Sequence, residues 1–121
     1  MPTTILGRLT SICLALPETS RIEQGRHAKF VVRAKTFAYY LDDHHGDGII
    51  GAAFKAPWGE NTDRAQAFPA LFYVPQYIGP KGWVGVKLDA ADVDWDEVRE
   101  MAITSYSLVA PKKLAALARE P

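Results

Sequence analysis

The sequence predicts an α+β domain in which a single antiparallel β-sheet is covered by helices. Three observations carry this. Apolar residues recur at helical spacing near both ends, and runs rich in aromatic and β-branched residues fill the middle with turn residues between them. Helices and strands are segregated along the chain, which argues against a parallel, doubly wound sheet. At 121 residues the chain fits one domain, residues 1–121, long enough to bury a core without disulfide or metal staples.

The first element is a helix. Ile5, Leu6, Leu9, Ile12, Cys13 and Leu16 share one face, Thr3 or Thr4 can cap its start, and Pro17 stops it. Strands follow in "AKFVV" and "TFAYYL", with the polar "RAK" as the turn between them, and "DDHHGDG" separates "TFAYYL" from a third strand in "IIGAAFK". "APWGENTDRAQAF" reads as a loop with about two helical turns before Pro69. "ALFYV" and "GWVGVKL" are the last strands. Between them Pro80 and Lys81 suit the middle of a type I turn that Gly82 closes in the left-handed region. Pro75 cannot donate to a ladder, which puts its strand at an edge or a bulge.

Asp94 and Glu97 have capping-box spacing with Val93 as staple, so a helix starts there. Val98, Met101, Ala102, Ser105 and Tyr106 form its buried face. "VAP" breaks the run, and Pro111 opens a last helix carrying Leu114, Leu117 and Ala118.

Charge and composition narrow the function classes. Fourteen acidic and fourteen basic residues cancel, so attraction to nucleic acid or membrane must come from local clusters. The N-terminal apolar run, interrupted by Arg8 and stopped at Pro17, reads as neither membrane anchor nor signal peptide. The single cysteine, Cys13, sits among apolar residues as an inert thiol, which fits a reducing cytoplasm.

In an extended strand Val84, Val86 and Leu88 share one face, and Trp83, Gly85 and Lys87 share the other. The aliphatic face belongs to the core. Trp83 then either packs beneath a helix or loop, or stays partly exposed between Lys81 and Lys87, as stacking on a base would require. Arg33 and Lys35 occupy one turn and Lys81 another, and turns project outward. If both point the same way, their cations could contact the phosphates of a duplex. Lys112 and Lys113 start the last helix against its dipole, which favours a role for them outside the fold.

Other motifs are weaker. "GPKG" matches the backbone-gripping loop of KH domains, but it joins strands rather than helices. It also lacks the order of a Walker phosphate loop. Asp42, Asp43, His44, His45 and Asp47 could approach a divalent ion, yet adjacent histidines diverge in a strand and the stretch has ordinary hairpin composition, so no metal or cofactor is predicted. No nucleophile elbow occurs, His27 has no partner legible in the sequence, and Asp96 and Glu97 suit the first turn of a helix. Nothing identifies an enzyme.

Taken together, "FYVPQYIGPKGWVGVKLD", "DWDEV" and "SYSLVAPKKLA", in that order, resemble the MmcQ/YjbR family over the second half of the chain, and "AKTFAYY" with "AAFKAP" is similar to its central hairpin. The resemblance implies a CyaY-like fold and a DNA-binding role through two hairpin wings, which would correspond to the turns at Arg33 to Lys35 and Gly79 to Gly82. Its carried-over positions are Lys35, Lys81 and Trp83. Family members often have glycines where this chain has Arg33 and Ala34. The iron binding of CyaY-like folds does not transfer, because the acidic residues here are dispersed.

Two functions follow as expectations. One is DNA binding through Arg33, Lys35, Lys81, Trp83, Lys87, Lys112 and Lys113. The other is a small-molecule or protein site in an aromatic groove formed by Tyr77, Trp83 and Tyr106.

Overall fold

The computed structural model describes residues 4–43, 46 and 48–119. The elements in chain order are α1 (Ile5–Leu14), β1 (Thr19–Gln24), β2 (His27–Val32), β3 (Lys35–Asp42), β4 (Ile50–Lys55), α2 (Glu60–Ala67), β5 (Phe72–Tyr73), β6 (Trp83–Lys87), α3 (Trp95–Val109) and α4 (Lys112–Ala118). The strands form one antiparallel sheet in the order β1-β2-β3-β4-β6-β5.

Helix α1 begins at Thr4, whose hydroxyl accepts from the Gly7 amide at 2.9 Å, and it buries Leu9 and Cys13. Its last carbonyls are met from outside the helix, since the Thr19 hydroxyl donates to the carbonyls of Cys13 and Leu16. Burial pushes the Cys13 thiol far above its ordinary value, which leaves it uncharged and unreactive. Asp94 caps α3 by accepting from the amides of Asp96 and Glu97, as the capping-box spacing predicts. Helices α1 and α3 cover one face of the sheet, and α4 packs on α3.

The core lies between that face and the helices. Phe30, Ala38, Phe54, Val84, Val86 and Leu88 supply the sheet side, with Leu9, Val98, Met101 and Tyr106 opposite. Each fully buried large apolar side chain contributes about 1.5–3 kcal/mol relative to exposure. The alternation read in the sequence for residues 83–88 is therefore the one the fold uses.

The structure adds to or alters the expected elements in several places. Strand β1 has no apolar pattern in "TSRIEQ" because it is an edge strand, with most of its side chains in water. The pairing of β2 with β3 shifts between Phe30↔Ala38 and Val31↔Thr36, which leaves Phe37 as a bulged residue and lets both Phe37 and Ala38 face the core. The β2–β3 turn holds only Arg33 and Ala34, with φ of 49° and 65°, the left-handed pair of a type I′ turn that glycines would adopt more readily; Lys35 already belongs to the strand. "ALFYV" likewise yields only two strand residues. The expected turn at Gly79 to Gly82 is present, with the Gly82 amide on the Gly79 carbonyl at 2.9 Å and Gly82 at φ 95°, but it sits inside a longer connection, residues 74–82.

Candidate functional site

The register fixes which loops share an end of the sheet. Lys55 ends β4 opposite Trp83, which begins β6, while β3 begins at Lys35 next to its turn. The Arg33–Ala34 turn, the segment 56–59 and the Gly79–Gly82 turn therefore emerge at one end, as antiparallel strands require.

This end is built around Asn61. Its buried amide nitrogen donates to the carbonyls of Gly79 at 2.9 Å and Trp83 at 3.1 Å, tying α2 to the turn and to the start of β6. The Ala56 amide on the Gly82 carbonyl at 3.1 Å adds a second tie. A Cβ on Gly79 would stand 2.5 Å from Val74 Cγ1, so the turn closes tightly on its own connection. Between these parts runs a groove of about 330 Å³ lined by Trp58, Asn61, Thr62, Val74 and Pro80. Trp58 is 88% exposed.

The cations at this end are Lys35, Lys55 and Lys81. None of the three forms an ion pair among the described residues. The bulge at Phe37 pairs Lys35 with Val32, a residue of the helix-covered face, whereas Lys55 pairs with Trp83 on the other face. The lysines therefore surround the end of the sheet rather than line one side. Arg33 is at the same end but is engaged: its guanidinium grips Glu18 through Nε at 2.6 Å and Nη2 at 3.1 Å.

The remaining expected site residues are dispersed. Trp83 is 8% exposed, its ring 5.2 Å from that of Tyr39, so of the two readings open from the sequence the covered one holds. Gly85, beside it on the same face, makes room for the ring of Tyr73: a Cβ there would stand 2.3 Å from Tyr73 Cζ. Lys87 lies at the far end of β6 and donates to the Pro69 carbonyl at 3.1 Å. Lys112 and Lys113 are exposed at the start of α4, in the helix layer. Tyr106 is fully buried on the helix side, its hydroxyl donating to the Pro17 carbonyl at 2.7 Å and its ring edge-on to Phe37. Burial, then the nearby Glu18 carboxylate, raises its pKa. Tyr106 therefore cannot line a groove with Trp83 and Tyr77, which belong to the opposite side of the sheet.

Tyr77 does line a groove, with Tyr39 and His27. His44, His45 and Asp47 lie outside the described residues, and among the described residues no three His, Cys, Asp or Glu side chains gather as a metal site would need. Trp58 and Lys55 carry no motif in the sequence that points to this end of the sheet. The available signal for Trp58 was a large aromatic between proline and glycine, outside any alternating or helical pattern.

A family model described as YjbR matches residues 14–108. The chain is similar in fold to the crystal structure of Deinococcus radiodurans protein DR2400, with the domain DUF419, at a TM-score of 0.70 and 23% identity, covering 93% of this chain and 86% of that one. No curated protein matches.

Proposed function

The chain belongs to the YjbR family, and from the geometry of this member we propose that it binds duplex DNA through the end of the sheet where Lys35, Lys55 and Lys81 stand. The observation that carries the reading is that the two turns expected to act as wings emerge together, with lysines at both that form no ion pair among the described residues and an exposed tryptophan between them. Each lysine that reaches a phosphate displaces a condensed counterion, so a chain of zero net charge can still bind where its cations converge. Trp58 takes the stacking role first expected of Trp83, because a buried ring cannot meet a sugar or base.

Arg33 and Lys87 contribute little, since a carboxylate and a carbonyl already hold them. Lys112 and Lys113 belong to the helix layer rather than to either turn, and the reading requires no contact from them. Fluorescence anisotropy of a labelled duplex, titrated across potassium chloride concentrations, tests the proposal. Affinity falls with salt, and Lys81→Ala and Lys35→Ala each reduce the log–log slope by about 0.9. Absence of binding at low salt refutes it.

A further inference from the structure

On the face of the sheet away from the helices, the connection 74–82 arches back over β2 and β3 and encloses a second groove of about 220 Å³. Gln24, His27, Tyr39, Leu41, Gln76 and Tyr77 line it. None of its lining residues is a lysine, arginine, aspartate or glutamate, so it offers no fixed charge to a phosphate, carboxylate or ammonium group. The Asp42 amide donates to His27 Nδ1 at 3.0 Å, so that ring nitrogen is already engaged as an acceptor. The chemistry on offer is two phenol rings, one imidazole and two carboxamides, each carboxamide both donor and acceptor. The volume suits a one- or two-ring group rather than a drug-sized molecule.

Tyr77 adds an independent observation. It is 76% exposed and has φ 68°, a left-handed conformation that a bulky side chain rarely takes. The flanking bonds of Ile78 to Gln76 at 2.7 Å and Gly79 to Pro75 at 2.9 Å hold the loop in this shape. A glycine would meet the backbone requirement without strain. The strained position instead carries a ring, and that ring borders the groove.

We infer that this groove binds a neutral, flat nitrogen heteroaromatic ring of the nucleobase type, stacked on Tyr77 with its edge read by the carboxamides of Gln24 and Gln76. The inference stands apart from duplex binding at the lysine end: its ligand meets no lysine, and its affinity is insensitive to salt. The ring could come from a free nucleoside or from an unpaired base in a strand.

The test is amide chemical-shift mapping of the whole chain with adenosine, cytidine, guanosine and thymidine, and separately with a single-stranded DNA hexamer. Saturable shifts at residues 24–27, 39–41 and 75–78, unchanged by added salt, are expected. Saturation by nucleosides assigns the source to free ligand, and saturation by the hexamer alone assigns it to an unpaired base. Tyr77→Gly keeps the loop geometry and weakens binding by about tenfold. No saturable shift in the groove with any of these probes, or equal affinity in the folded Tyr77→Gly variant, overturns the inference.

Discussion

The Ser105 hydroxyl donates to the Phe37 carbonyl at 2.5 Å. The same oxygen accepts from the Lys55 amide at 2.8 Å, one residue beyond the last β3–β4 pair, Ala38↔Phe54. A buried helix side chain thus occupies the place where the two strands would otherwise have bonded to each other. The bulge turns the Phe37 ring onto Tyr106, and the residue before Tyr106 satisfies the carbonyl that the bulge leaves over. Beyond this point β3 pairs only with β2 and β4 only with β6, so α3 sets how the lysine-bearing end opens.

Ser105→Ala should therefore cost about 1–3 kcal/mol, the penalty for leaving a buried backbone donor and acceptor unmet. Urea unfolding measures it. A loss below ~0.5 kcal/mol would mean that the ladder closes without the hydroxyl.

The contact of Tyr73 with Gly85 predicts a coupled pair. Gly85→Ala alone should destabilise by about 1–3 kcal/mol through overpacking against the ring. In a Tyr73→Ala background the same change should cost far less, and a double-mutant cycle reads the difference. Additive effects would show that the ring moves aside freely.

Much of this was legible in the residues themselves. Asp94 and Glu97 announce α3 through local hydrogen bonding, and the alternation of residues 83–88 separates the core face from the other, because both signals reside in a few consecutive residues. Strand β1 was not legible, since an edge strand with few buried side chains leaves no alternation to read. Nor was the burial of Trp83, which depends on Tyr39 from a distant strand. The bulge at Phe37 is hidden for the same reason: "TFAYYL" looks continuous until its pairing with β2 is known. At the site, the turns could be found from proline, glycine and charge, while their shared end depends on register.

Glu18 restrains Arg33, and releasing it should strengthen DNA binding. Glu18→Gln should steepen the salt dependence by about 0.9 in the log–log slope, the effect of one added phosphate contact. An unchanged slope in anisotropy titrations would show that Arg33 does not reach the duplex. The Arg33 hydrogen bond holds the Glu18 carboxyl below its ordinary range; slight desolvation opposes this and the guanidinium charge adds to it. A lowered value means that the pair contributes stability at neutral pH and loses it as pH falls through that value. Because both groups are solvent-exposed, the acid-side change in stability should be small and should vanish in Glu18→Gln.

The most direct test of the account is an amide chemical-shift titration of the chain with a short duplex at low salt. The account predicts saturable shifts at residues 33–35, 55–59 and 79–82, all reversed by added salt, with Lys87, Lys112 and Lys113 unaffected. Shifts confined to the helix layer, or none at all, would contradict it.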